Sequence, residues 1–279
     1  MKKGLYEKFF KRFFDCTICL FAFIVISPIF LLLMLLTRIY NGKGVFFKQP
    51  RPGKDGKIFT LYKFRSMSNK CDANGNLLPD KDRVTKWGKF LRKTSLDELP
   101  QLLNIIKGEM AIVGPRPRLV KDMVFYPQEY FVSYTVRPGL TGNTQANGRN
   151  SNTWEQVLEK DRDYSEHITF WGDVKLIFKT FTSIFVSRGA AEGEAENKQA
   201  YYYADYLLES NQISFDVYNR GIDIANGLIK EMGQVTFMPE LVRLRTNSPI
   251  VLPQPQNEQI EQCEQIVTLE ENKEQLSAI

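Results

Sequence analysis

The sequence predicts an α+β protein, mostly helical, built from a re-entrant membrane helix hairpin, interfacial amphipathic helices and one small β-hairpin. Three observations predict it. From Cys16 to Thr37 there are 22 residues without a charge, interrupted by Ser27 and Pro28. From Gly44 to Met67 two short runs flank a turn rich in proline and glycine. Farther on, apolar residues recur at three- and four-residue spacing beside lysines and arginines, as in helices lying at a membrane surface.

The apolar segment comes first in the chain. Its length approaches the roughly 20 residues that cross a bilayer. Proline removes a backbone donor and clashes with the preceding turn, and a serine beside it can bond back to a carbonyl and deepen the bend, so a break is expected at Ser27-Pro28. Each limb then has about 16 Å of helix, near half the ~30 Å hydrocarbon thickness. Basic residues stand on both sides, Lys2, Lys3, Lys8, Lys11 and Arg12 before and Arg38, Lys43, Lys48 and Arg51 after. Matched positive flanks favour no direction for a single crossing, whereas a segment from about residue 5 to 40 that dips in and returns satisfies both. A kinked full span is the competing reading.

Next, the partial alternation of Ile58 to Arg65 marks the second arm of the hairpin, and residues 68 to 82 read as a loop. The run from Arg83 to Lys93 is a basic, aromatic, amphipathic helix. In TSLDELPQLLNIIKGEM, Ser95 and Glu98 match a capping box, with the apolar stripe ending near Gly108, although Pro100 could move the cap to Asp97. AIVGPRPRL and VRPGLTGNTQANGRN read as loops, and residues 154 to 166 and 170 to 187 as helices. This makes residues 1–188 a membrane-anchored domain. Residues 189–200 read as a linker, 201–250 as a small accessory region and 251–279 as a disordered or lone-helix tail.

Charge and composition narrow the function. Residues 189–279 carry 6 Lys+Arg against 15 Asp+Glu, and the residues before them 31 against 17. A cationic body beside an apolar anchor suits acidic headgroups or phosphorylated substrates, and nucleic acid is not expected as a partner. The single histidine, His167, excludes two-His metal sites. The four cysteines suit a reducing compartment, with Cys16 and Cys19 inside the apolar run.

Asp97 and Glu98 are adjacent acids among Lys63, Arg65, Arg92, Lys93, Arg116, Arg118, Arg137 and Arg149. Phosphoryl transfer asks for a nucleophile, a divalent ion and cations around the phosphate oxygens. Spacing alone is equally compatible with acids capping a helix, on a non-catalytic membrane-surface scaffold that binds acidic lipid.

The broken apolar run, YKFRSM, SLDELPQLLNIIKGEM, GPRPRL, VRPGLTG and NGRN, in this order from about Leu5 to Arg188, resemble the monotopic phosphoglycosyl transferases, bacterial sugar transferases. The resemblance implies transfer of a sugar-1-phosphate from a UDP-sugar to a polyprenol phosphate such as undecaprenyl phosphate, releasing UMP. The reaction would start the assembly of a membrane polysaccharide or glycoconjugate on the cytoplasmic face of the bacterial inner membrane, with downstream glycosyltransferases as candidate partners. It also implies a covalent route with Mg²⁺. Asp97 would be the nucleophile and Glu98 its neighbour, both available to the metal. Lys63, Arg92, Arg116, Arg149 and Asp173 would serve substrate and phosphate binding. Thr141-Gly142-Asn143-Thr144-Gln145 departs from the family's TGWAQ-like stretch, exchanging an aromatic and a small residue for two polar ones.

Overall fold

The computed structural model describes residues 4–72, 74, 76–148, 152–186 and 202–238. Arg149, the linker at 189–200, residues 239–250 and the tail at 251–279 lie outside the described residues.

A single α-helix, α1 (Lys11–Asn41), follows a π-helical turn at Tyr6–Phe10 and keeps Pro28 inside it. Pro28 leaves the carbonyl four residues back, that of Ile24, without its helical donor. The Ser27 hydroxyl donates to that oxygen at 2.7 Å. One side of α1 is buried at Cys19, Phe30, Leu33 and Thr37, while Phe21, Ile24, Val25, Leu31 and Leu35 are exposed. The helix is long and apolar enough to cross a membrane by length and composition.

Both ends of α1 are bonded to the same folded body. At the start, Arg12 donates to the carbonyls of Ile105 and Ile106. At the end, Asn41 and Arg65 exchange side-chain-to-backbone hydrogen bonds, and Trp87 donates to Thr37 at 3.1 Å.

The hairpin forms as expected. β1 (Phe46–Pro52) pairs antiparallel with β2 (Ile58–Phe64), from Phe46 opposite Phe64 to Pro52 opposite Ile58. After it come α2 (Asp80–Arg83), inside the expected loop, and α3 (Lys86–Thr94), capped by the Thr85 hydroxyl. Gly88 lets α3 sit directly on the chain after β2, for a Cβ there would stand 1.8 Å from the Ser66 carbonyl oxygen.

The expected capping box at Ser95 and Glu98 does not form. Ser95 is left-handed, φ 58°, and ends α3, its N–H bonding back to Arg92 and Leu91. Leu96–Glu98 is a 3₁₀ turn, and α4 (Gln101–Lys107) begins only after Pro100. Glu98 faces cations instead of Ser95, and a charged pair outweighs a neutral cap.

The two stretches read as loops contain a parallel pair, β3 (Ala111–Val113) with β4 (Gly139–Thr141). Around them lie α5 (Val120–Met123), a 3₁₀ segment at Gln128–Tyr134 and α6 (Asn143–Ala146). The two predicted helices are present as α7 (Trp154–Glu166), with a complete Thr153/Gln156 capping box, and α8 (Phe170–Val186). α8 exposes Trp171, Phe178 and Phe181. In the accessory region, α9 (Tyr203–Glu209) and α10 (Phe215–Glu231) join the main core, with Tyr203, Leu207 and Val217 packed among Val120, Phe125 and Trp154.

Candidate active site

Asp97 and Glu98 sit on the 3₁₀ turn between α3 and α4, which the left-handed Ser95 on one side and Pro100 on the other set apart from both helices. Lys63, near the end of β2, donates to Glu98 Oε1 at 2.6 Å, and an Arg116 guanidinium nitrogen lies 3.6 Å from the same oxygen. Arg92, in the last turn of α3, donates from Nε to the Ser66 hydroxyl at 2.9 Å. Burial pushes the Asp97 carboxyl above the ordinary carboxylate range and Glu98 adds to the rise, while Lys63 and Arg92 oppose it. Lys63, Arg92, Glu98 and Arg116 therefore share one electrostatic neighbourhood with Asp97.

The frame under this cluster includes residues that sequence reasoning missed. Asn104 is fully buried in the apolar stripe of α4. It accepts from the Tyr62 N–H at 3.1 Å and donates to the Thr60 carbonyl at 2.7 Å, which locks β2 and thus Lys63 onto α4. A polar amide within an otherwise helical apolar stripe is the signal that could have found it. Ser66 gave no such signal, since its role depends on where α3 lands.

Asp173 is placed elsewhere. Its carboxylate accepts from Lys11 at 2.5 Å, Tyr6 at 2.9 Å and Tyr164 at 2.8 Å, tying α8 to the start of α1 and to α7. Among the described residues these partners place Asp173 in a cluster separate from Lys63, Glu98 and Arg116. The departure at Asn143 also has a structural account: its side chain donates to the Lys160 carbonyl at 3.2 Å and accepts from Asn147 at 2.7 Å, bracing α6 against α7.

Beside Arg116 a cavity of about 10 Å³, bordered by Arg118, Tyr126 and Asp161, has room for one water. The acidic pair is open on the side of Arg116, whose side chain is 43% exposed. The ground beneath is apolar: Leu99, Leu102, Ile105 and Ile106 pack with Cys19, Phe23 and Ile26 of α1, one residue from Ser27-Pro28.

The family model of the bacterial sugar transferases matches residues 6–187. The chain belongs to this family. Among its relatives is the uncharacterized sugar transferase EpsL of Bacillus subtilis (strain 168), 46% identical over 179 residues, which are 64% of this chain and 89% of that protein. The exopolysaccharide production protein ExoY of Rhizobium meliloti (strain 1021) is 38% identical, over 64% of this chain and 87% of its own length. The UDP-glucose:undecaprenyl-phosphate glucose-1-phosphate transferase of Escherichia coli (strain K12) is 37% identical over 66% of this chain, a match that covers 42% of that larger protein. This sugar transferase thus has its acidic pair and all the described cations around it inside the matched region, with α9 and α10 beyond it.

Proposed function

We propose that this sugar transferase moves a sugar-1-phosphate from a UDP-sugar to a polyprenol phosphate, undecaprenyl phosphate in bacteria, with Asp97 as nucleophile. The observation that carries the reading is the half-enclosed Asp97 carboxylate, flanked by Lys63, Arg92 and Glu98, above the apolar anchor. In the first step an Asp97 oxygen attacks the phosphorus bearing the sugar. The bond from that phosphorus to the bridging oxygen breaks, and UMP leaves with the oxygen and its electron pair. In the second step a polyprenol phosphate oxygen attacks the same phosphorus, expelling the Asp97 carboxylate and forming the polyprenyl diphosphate sugar.

The chain's own groups divide the work. Arg116, Lys63 and Arg92 supply positive charge for the diphosphate oxygens, and Arg149 is assigned to the same task. Lys63 holds Glu98 beside the nucleophile. Among the described residues no group of three or more His, Cys, Asp or Glu could hold a metal. The pair Asp97 and Glu98 does fit Mg²⁺, which takes one or two carboxylates and completes its shell with substrate oxygens and water. When bound, Mg²⁺ would offset diphosphate charge and relieve the repulsion between the two acids.

The hydrogen bonds at both ends of α1 support the anchor reading. A full crossing would put the body between those ends, with Lys63, Glu98 and Arg92, into hydrocarbon. A segment that enters from the cytoplasmic face and returns to it, with α1 continuous through Ser27-Pro28, buries the exposed apolar side and keeps the body in water. It also brings the acidic pair to headgroup depth, where the polyprenol phosphate presents its charge. Tags on both termini in sealed vesicles test this, since accessibility from opposite sides would exclude it.

Intact-protein mass spectrometry tests the chemistry. Enzyme given a panel of UDP-sugars without acceptor should gain the mass of one sugar phosphate, and Asp97→Asn should not. Product formation by wild type with no such gain would refute the covalent step, unchanged turnover by Asp97→Asn would remove Asp97 from the mechanism, and no turnover by wild type with any UDP-sugar would favour the lipid-binding scaffold.

A further inference from the structure

The family match ends at residue 187, yet the chain returns to the catalytic body from Tyr203 to Val235 and docks at two places. One is the turn of the β-hairpin. Ile58 donates to the Gly233 carbonyl at 3.1 Å, Val235 to the Gly56 carbonyl at 2.9 Å, and the Gln234 amide to the Asp55 carbonyl at 2.6 Å. The other is α5 with the residues just after it. The Ala204 N–H donates to the buried Asp122 carboxylate at 3.2 Å, and Lys121 reaches both Asp205 oxygens at 2.8 and 2.9 Å. Gly221 of α10 lies against the Phe125 ring so closely that a Cβ would stand 2.1 Å from it.

These two places are the far ends of the elements that carry the site cations. β2 runs from the turn to Lys63, and α5 follows directly on Gly114-Pro115-Arg116-Pro117-Arg118. Arg51 joins them: from β1 its Nη1 donates to the Pro117 carbonyl at 3.0 Å and its Nη2 to Gln49 at 2.7 Å. Burial lowers the Arg51 pKa to about 10 and Arg116 adds to the fall, while Asp122 and Tyr202 counter it. Arg118 completes the arrangement, its guanidinium 5.0 Å over the Trp154 ring, which in turn packs 5.2 Å from the Tyr203 ring. The guanidiniums of Arg51, Arg116 and Arg118 repel, and two buried carboxylates offset them: Asp161, which faces Arg118 and Arg116, and Asp122, which faces Arg118 and Arg51 and accepts from the first turn of α9.

We propose that the segment from Tyr203 to Val235 is a positioning element for the Arg116 loop, acting through Asp122 and Arg51. It touches no reacting atom. The α9 backbone fixes Asp122, the Asp122 charge offsets those of Arg51 and Arg118, and Arg51 holds the Pro117 carbonyl, so Arg116 is presented to the donor diphosphate at a set height over Glu98. This rests on the reading of Arg116 as a phosphate-binding residue.

The test uses the full chain in detergent micelles and whichever UDP-sugar wild type turns over fastest, with UMP release as readout. Asp122→Asn keeps the shape and the acceptor for the Ala204 N–H but removes the charge. Gly221→Ala pushes α10 off Phe125 without altering the loop. Both should raise donor KM on the order of tenfold with kcat within about twofold, short of the hundredfold that a 1 Å misplacement can cost. Both should also weaken binding of UDP, measured by calorimetry, in the same ratio. A brace that served folding alone would lower the amount of active enzyme, and hence apparent kcat, with KM unmoved; that result overturns the proposal. If Gly221→Ala fails to fold, the isosteric Asp122→Asn decides alone. Asp97→Asn is run alongside: its continued turnover would defeat the reading of the site, whereas its inactivity beside an unchanged KM in Asp122→Asn would defeat the brace and spare the site.

Discussion

Two clusters built from the same kinds of residue behave oppositely. Around Asp97 the charges are close but not sealed, with the Lys63 and Glu98 side chains 22% and 23% exposed and Arg116 more open still. Around Asp173 the side chains of Lys11 and Asp173 are 10% and 5% exposed, and the carboxylate is held by three donors. The first cluster has cations with capacity left for a ligand. The second has spent its hydrogen-bonding capacity inside the protein, tying the anchor helix to α8. Proximity of charge in sequence therefore says little about chemistry until exposure and saturation are known.

Exchanging the two aspartates gives the sharpest contrast. Asp97→Asn should cut turnover by roughly 10⁴-fold or more, as loss of a covalent nucleophile does, and leave membrane binding and melting temperature near wild type. Asp173→Ala should do the reverse. It leaves the buried Lys11 ammonium with only Asp15, 3.9 Å away, a loss of about 3 kcal/mol, read as a lower melting temperature in micelles, with donor KM unchanged in the fraction that stays folded. A selective loss of donor binding in Asp173→Ala would instead return that residue to the substrate site.

A third carboxylate, Asp122, is as deeply buried as Asp173 but lies beside the Arg116 loop. Asp122 is buried, and burial raises its pKa to about 6, against the Ala204 N–H, Lys121, Arg118 and Arg51; Tyr126, Tyr134 and Tyr218 also face it. The folded protein holds this proton more tightly than the unfolded chain. Its contribution is fully present below pH 3.8 and is lost as pH rises through about 6. Relative to Asp122→Asn, wild type should lose up to roughly 3 kcal/mol across that window, the value of about two pKa units. Denaturant melts of both proteins at pH 4, 5, 6 and 7 check it, and a constant difference would show that the carboxyl titrates normally. The charge that orders the Arg116 loop at neutral pH is then kept at a cost in stability, as functional sites often are.

How much of this was legible in the sequence follows from signal length. α7 and α8 have several turns of consistent periodicity, and the hairpin has its Pro-Gly turn, so each stands where expected. β3 and β4 are three residues each and pair across an intervening α5 and 3₁₀ segment, too short for any alternation to register. α10 escaped notice for another reason: its fully buried residues are Val217, Gly221 and Ala225, while its larger apolar residues Ile224, Leu228 and Ile229 are only partly buried, which blurs the stripe that marks a core helix. At the site, Asp97, Glu98, Lys63, Arg92 and Arg116 were drawn together by charge and by resemblance. That Asp173 belongs to a different cluster is a tertiary fact, because Tyr6 and Lys11 lie more than 160 residues away in the chain.

The smallest effect belongs to the anchor, where one hydroxyl separates a tolerated proline from a costly one. Pro28 deprives the Ile24 carbonyl of its helical donor, and Ser27 replaces that donor. This hydrogen bond lies on the exposed, apolar side of α1, and Ser27→Ala should cost about 1 kcal/mol, the usual net value of one hydrogen bond. The paired variant Ser27→Ala/Pro28→Ala should recover that loss, since residue 28 then carries an N–H of its own to give to Ile24. Thermal melts of the single and double variants in micelles decide it. Equal stability of wild type and Ser27→Ala would mean the carbonyl is served by solvent or headgroups, and would place this stretch of the helix higher in the interface than its apolar surroundings imply.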